Sequence, residues 1–135
     1  MDFSDFTRMI DIIAKDSQSS AMALASKSID VYIEYLTCTL NFDNKIILDN
    51  LIRLSDLLCA SQPSITPLTN IVDLVLSKSN VNANLFSHEL RQDLICLLSD
   101  LKTKLVNNKY LIAENALSYF PDNAIVITLS DSSTV

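Results

Sequence analysis

The sequence predicts a mainly α protein, a bundle of about five helices ending in one short β-strand. Three observations predict it. Apolar residues recur at steps of three and four from Phe3 to Ile112, the spacing that lines one face of a helix. Cap and breaker residues interrupt that pattern four times, at Ser17–Ser20, Asn41–Asp43, Ser61–Pro67 and Ser79–Asn82. The end of the chain, Ala124-Ile-Val-Ile-Thr-Leu-Ser-Asp-Ser-Ser-Thr-Val135, changes to a run of β-formers followed by a hydroxyl-rich turn.

The first helix is expected over 3–16, with Phe3, Phe6, Ile10 and Ile13 inward. The second runs from about Ala21 to Leu40, with Ala21, Leu24, Ala25, Ser28, Val31, Tyr32, Tyr35 and Leu36 on one face. Small residues at its start would let another backbone approach closely. The third covers roughly 44–60, with Ile47, Leu51, Leu54 and Leu58 in line. Pro63 and Pro67 disfavour helical geometry in the residues before them, so Thr66 reads as an N-cap and Pro67 as the first helical residue. The fourth helix is then expected over 67–78, with Leu68, Ile71, Val72, Val75 and Leu76 inward. The fifth is the longest, about 84–119, on the stripe Leu90, Leu94, Leu97, Leu101, Leu105 and Ile112. Pro121-Asp-Asn123 closes it and turns the chain into the strand. The domain division is therefore a helical bundle over 1–120 and, over 121–135, the first strand and turn of an α/β unit.

Composition excludes several functions. The chain has no glycine, where a usual share of ~7% would give about nine. Loops of the GxxxxGK[ST] and GxGxxG kind need glycine for positive φ and close approach to phosphate, so neither nucleotide-binding route is open. The net charge is −6 with no basic stripe, which argues against direct nucleic-acid binding. No apolar run approaches the ~18 residues of a membrane helix, so no membrane partner is expected. Met1-Asp-Phe-Ser-Asp5 lacks a basic leader, and the expected setting is cytoplasmic. Cys38, Cys59 and Cys96 form no CxxC pair and accompany one histidine, so no metal site is expected; buried small hydrophobes are the ordinary role for such cysteines.

Candidates for chemistry are few. His88 stands alone near the start of the long helix, where an exposed first-turn residue is the ordinary reading. The carboxylate pairs Asp2 with Asp5 and Asp30 with Glu34 belong on solvated helix faces. Asp49, Arg53 and Asp56 have the spacing of a surface charge ladder. The most plausible ligand contacts are Ser130, Ser132, Ser133 and Thr134, which leave the carboxyl end of the strand, where open α/β sheets place their ligands. No cofactor is expected.

Three segments together carry a family resemblance. Ser19-Ser-Ala-Met-Ala-Leu-Ala-Ser-Lys-Ser-Ile29 is similar to a small-residue second helix. Ala60-Ser-Gln-Pro-Ser-Ile-Thr-Pro-Leu-Thr-Asn-Ile-Val72 is similar to a proline-threonine segment that opens a helix, and Asp122–Val135 to a strand ending in Ser-Ser-Thr-Val. The chain thereby resembles the N-terminal helical domain of the alpha, beta and delta regulatory subunits of translation initiation factor 2B. The same family includes ribose-1,5-bisphosphate and methylthioribose-1-phosphate isomerases. The resemblance implies that the terminal strand would begin a Rossmann-like domain, which this sequence lacks.

Departures from the family pattern set the functional expectation. Ser130 occupies the place of the isomerases' catalytic cysteine, and Leu129 that of a common histidine. Ser19 and Ser20 stand where an arginine-glycine pair binds substrate. A serine hydroxyl near neutral pH supplies almost no anion, so it is a poor substitute for a thiolate. No catalytic residue is therefore expected, and the reading is a non-catalytic protein-interaction module. Its partner would be a second copy, a sibling subunit or initiation factor 2. A homo-oligomer is expected, held by the strand edge at Ile125, Val126 and Ile127. A fragment of a sugar-phosphate isomerase and a generic helical adaptor are the alternatives.

Overall fold

The structure, a computed structural model, describes residues 2–39, 43–80 and 88–125. Among the described residues five helices follow in order: α1 (Phe3–Lys15), α2 (Ala21–Cys38), α3 (Asn44–Ser61), α4 (Thr66–Asn80) and α5 (His88–Leu117). The mainly helical fold expected from the sequence is therefore present, and no strand occurs among the described residues. Of the segment read as a strand, 126–129 lies outside the described residues.

Local signals start α1, α2 and α3 where the sequence placed them. Asp2 caps α1 by accepting from Ser4 N at 2.7 Å, and the Asp5 carboxylate accepts from Asp2 N at 3.0 Å. The first carboxylate pair is thus a capping box, more than a solvated face. Ser20 caps α2 by accepting from Ala23 N at 3.3 Å, and Asp43 caps α3 by accepting from Lys45 N at 2.7 Å. α4 starts one residue earlier than expected. The Ile65 carbonyl accepts from Leu68 N and Thr69 N, which makes Thr66 the first helical residue and Pro67 the second. The proline is tolerated there because the N–H it lacks would have no intrahelical partner.

α2 is the central helix and packs on all four others. Its buried face carries Leu24, Ala25, Ser28, Ile29, Val31, Tyr32, Tyr35 and Leu36, too wide a set for a helix with only one neighbour. α1 rests on α2 and α3 through Phe6, Ile10 and Ile13. α3 supplies Ile47, Leu51, Leu54 and Leu58, and α4 supplies Leu68, Ile71, Val72 and Val75. Two buried hydroxyls link helices: Tyr32 Oη lies 2.7 Å from Ser55 Oγ, and Tyr35 Oη donates to the Ile47 carbonyl at 3.2 Å. The Gln62 amide closes the end of α1, donating to the carbonyls of Ile13, Ala14 and Asp16 at 3.0, 3.3 and 3.3 Å. Side chains, in this way, satisfy helix-end carbonyls left without partners.

Three expectations are corrected. The cysteines are not buried: Cys38 and Cys96 are exposed and Cys59 is half-buried, because each lies off the core-facing line of its helix. Arg53 does not build a ladder with Asp49 and Asp56; its guanidinium stacks 4.4 Å from the centre of the Phe3 ring, tying α3 to α1. The inward line of α5 is Arg91, Leu94 and Leu98, flanked by half-buried Leu90, Ile95, Leu97, Leu101 and Leu105. Ile112, read as inward, is exposed because the bundle ends before it.

Candidate interaction surface

α5 has 30 residues, which at 1.5 Å per residue makes it about 45 Å long. Its first half packs on the bundle. Every residue from Val106 to Asn115 is exposed, so the second half stands clear of the other four helices. Val106, Tyr110, Leu111, Ile112 and Leu117 are all exposed there, Tyr110 at 68% and Leu117 at 71%.

These apolar residues do not share one face. At about 100° per residue, the bundle-facing line through Leu98, Leu101 and Leu105 continues to Ile112 and Ala116. Val106, Tyr110, Ala113 and Leu117 form a second line roughly 110° away, and Leu111 points to the other side. A helix that is apolar in several directions is normally buried. Here the apolar groups are in water, and Tyr119, Phe120 and Ile125 extend the patch past the end of the helix. Exposed apolar side chains clustered in this way make the end of α5 a candidate interaction surface.

The overhang is continuous with a groove of about 320 Å³ at the same end of the bundle, lined by Ala25, Pro67, Ile71, Leu74, Leu101 and Leu105, with Asn70 as the polar member. Ala25 lies at the floor of that end, where the small side chain expected from the sequence lets α4 and α5 pass close to α2. The groove lacks the converging polar groups that orient a small ligand.

The residues nominated from sequence fall on both sides of the described boundary. Ile125 is 91% exposed and follows a turn closed by Ala124 N donating to the Pro121 carbonyl at 3.1 Å, with Asn123 in the left-handed region at φ 64°. Val126, Ile127, Ser130, Ser132, Ser133 and Thr134 lie outside the described residues. Sequence reading missed Val106, Tyr110, Leu111 and Leu117 as surface residues. The available signal was their position off the single stripe that accounts for the rest of α5.

Most candidate ionisable groups have structural partners. His88 is exposed at the first position of α5, as expected. Asp30 pairs with Lys102 at 2.5 Å, joining α2 to α5. Asp16 is the hub of the α1–α2 connection. Its carboxylate accepts from Ser19 N at 2.9 Å, Gln18 N at 3.1 Å and Ser19 Oγ at 2.7 Å, and it is ion-paired with Lys27. Ser19 and Ser20 serve here as an Asp16 donor and as the α2 cap. Among the described residues, no group of three His, Cys, Asp or Glu side chains is placed to hold a metal ion.

The Lys27 ammonium and the Ser19 hydroxyl hold the Asp16 carboxyl well below the usual carboxylate range. Because the folded-state value lies below the unfolded one, this contribution to stability is complete above the unfolded pKa and is lost as pH falls toward the folded value. Thermal unfolding between pH 7 and 2 should therefore show a loss of stability beginning below pH about 4. The variant Asp16→Asn should be less stable at pH 7 and show a shallower acid dependence. An unchanged acid limb would show that Asp16 does not carry it.

The described residues contain no helix long and apolar enough to cross a membrane. Comparison with curated proteins and with solved structures gives no match. The sequence profile described as the Initiation factor 2 subunit family matches residues 12–135, from the last turn of α1 through all that follows. The five-helix bundle, with its long last helix ending at Leu117, fits the N-terminal helical domain of that family. The chain belongs to the Initiation factor 2 subunit family, as its N-terminal helical domain.

Proposed function

We propose that this domain works by protein–protein contact in translation initiation and not by catalysis. The observation that carries the reading is the overhang of α5, where apolar residues face several directions and none is covered by the bundle. Initiation factor 2, its alpha subunit in particular, or a sibling subunit is the partner, in a cytoplasmic setting. The β-forming sequence at Ile125, Val126 and Ile127, read as the start of an α/β unit over 121–135, would add an edge for pairing with another chain. The non-catalytic reading is supported by the structural engagement of Asp2, Asp5, Asp16, Asp30, Ser19 and Ser20. It is supported as well by Ser130, where the related isomerases have a cysteine.

Binding of the full chain to purified initiation factor 2 alpha subunit and to sibling subunits, measured calorimetrically, tests this. Binding to one of them is expected, and Leu111→Glu with Ile112→Glu should weaken it by about tenfold or more while leaving the thermal midpoint nearly unchanged. No binding to any of them would overturn the reading. So would turnover of ribose-1,5-bisphosphate or methylthioribose-1-phosphate by the chain.

A further inference from the structure

We infer that the start of α5 binds a small tetrahedral oxyanion, held by the Arg91 guanidinium together with N–H groups of the first helical turn. Arg91 is the fourth residue of α5 and only 2% exposed, yet its Nε has no hydrogen-bond partner. An arginine cannot leave such a position by losing its proton, as a lysine or histidine could. A buried charge is ordinarily paired, and an orphan in a native interior points to a bound ion.

No carboxylate fills that role. None pairs with Arg91 among the described residues. Glu89 and Asp93, two positions before and after it, are exposed and lie about 200° round the helix, on its opposite side. Asp30 on α2 is already paired with Lys102.

The surroundings of the guanidinium favour an anion. Burial pushes the Tyr35 phenol pKa up, and Asn50 and the Arg91 charge draw it back, so Arg91 lies close to α2. Tyr35 follows Asp30 along α2, whereas Arg91 precedes Lys102 along α5, so the two helices run antiparallel. Arg91 is therefore at the end of the bundle where α2 finishes and α5 begins. Long side chains on a helix lean toward its N-terminus, which carries Arg91 back over the first turn of α5. There the N–H groups of His88 and Glu89 have no intrahelical acceptor, and the helix dipole adds positive potential. The planar guanidinium fork matches two oxygens of a phosphate or sulfate, and the helix N–H groups suit a third. His88 is exposed, which leaves an approach from solvent. Leu117 is at the other end of the same 30-residue helix, about 45 Å away, so this site is separate from the interaction surface and needs no residue beyond α5.

Calorimetry and thermal unfolding of the full chain with inorganic phosphate, against chloride at matched ionic strength, test the inference. One phosphate per chain is expected, with a dissociation constant in the low millimolar range and a rise in Tm of about 3–6 °C at 20 mM. The net charge of −6 disfavours general accumulation of anions, so a phosphate-specific response reports a local site. Arg91→Lys keeps the charge but loses the fork, and should weaken binding about tenfold. Arg91→Met should lose the response and, in chloride, melt no lower than the unsubstituted chain, because it removes an unpaired buried charge. Arg8→Met, at a side chain 79% exposed, should leave the response intact. Ethyl phosphate binding as well as phosphate would show that a phosphomonoester also supplies the anion, and weaker binding that the free ion does; either supports the site. Absence of a phosphate-specific effect overturns the inference, as does an undiminished response in Arg91→Met. A midpoint for Arg91→Met well below that of the unsubstituted chain in chloride also overturns it, since the guanidinium would then be satisfied within the fold. None of these results bears on the interaction-module reading, which rests on the opposite end of α5.

Discussion

Replacing Phe6 with alanine is expected to destabilise the bundle by about 3–5 kcal/mol. α1 is held by three buried side chains, Phe6, Ile10 and Ile13, and Phe6 is the largest of them. Its ring meets Tyr35 edge to face, with centroids 5.4 Å apart and planes at 82°, a favourable geometry for aromatic pairs. Tyr35 in turn donates to the Ile47 carbonyl, so the Phe6 ring buttresses the residue that ties α2 to α3. Removing it leaves a cavity at the meeting point of three helices. Urea unfolding checks this, with Ile12→Ala as the control. Ile12 is on the same helix but 65% exposed, and its truncation should change stability by no more than about 0.5 kcal/mol. A loss below about 1 kcal/mol for Phe6→Ala would show that α1 contributes little to the fold.

The second prediction concerns an asymmetry between two buried hydroxyls. Ser55 Oγ donates to the Leu51 carbonyl at 2.8 Å, so its contact with Tyr32 uses the tyrosine hydroxyl as donor. Ser55→Ala should cost about 1–3 kcal/mol, because it leaves the Tyr32 hydroxyl buried without a partner. Tyr32→Phe should cost less, about 1 kcal/mol, since Ser55 keeps its backbone acceptor. The double variant should be close to Tyr32→Phe alone, giving a coupling energy that a double-mutant cycle can read. Equal costs for the two single variants would refute this assignment of donor and acceptor. Burial pushes the Tyr32 phenol pKa up, and Ser55 only partly offsets it. A raised folded-state pKa in an acid means the stabilisation is complete below the ordinary phenol value of about 10 and is lost as pH rises beyond it. In Tyr32→Phe this alkaline loss should be smaller.

Much of the bundle was legible in the residues because local chemistry and burial agree along this chain. Asp2, Ser20 and Asp43 are caps by their own side chains, and each starts its helix where the sequence placed it. The lines Phe6–Ile10–Ile13 and Ile47–Leu51–Leu54–Leu58 are buried as their spacing predicted. The misreadings share one cause. A heptad pattern shows that a face is apolar but not what lies opposite it. Ile112 fits the α5 stripe as well as Leu94 does, yet Leu94 is buried and Ile112 is in water. The cysteines were misjudged for a related reason, since residue type alone does not say which way a helix is turned.

By itself, the sequence determined the number of helices, where most of them begin, and the family to which the chain belongs. Those properties depend on side chains close in sequence, such as the Asp2–Asp5 box and the Thr66-Pro67 start, or on motif order. Only the tertiary structure decided that Asp16 gathers Ser19 and Lys27, that Gln62 closes α1 from 46 to 49 residues away, and that α5 outruns the bundle. Each of these depends on where helix ends meet in space. The overhang exists because α5 is 30 residues long and the neighbours α2 and α4 are 18 and 15, so its second half has no helix beside it.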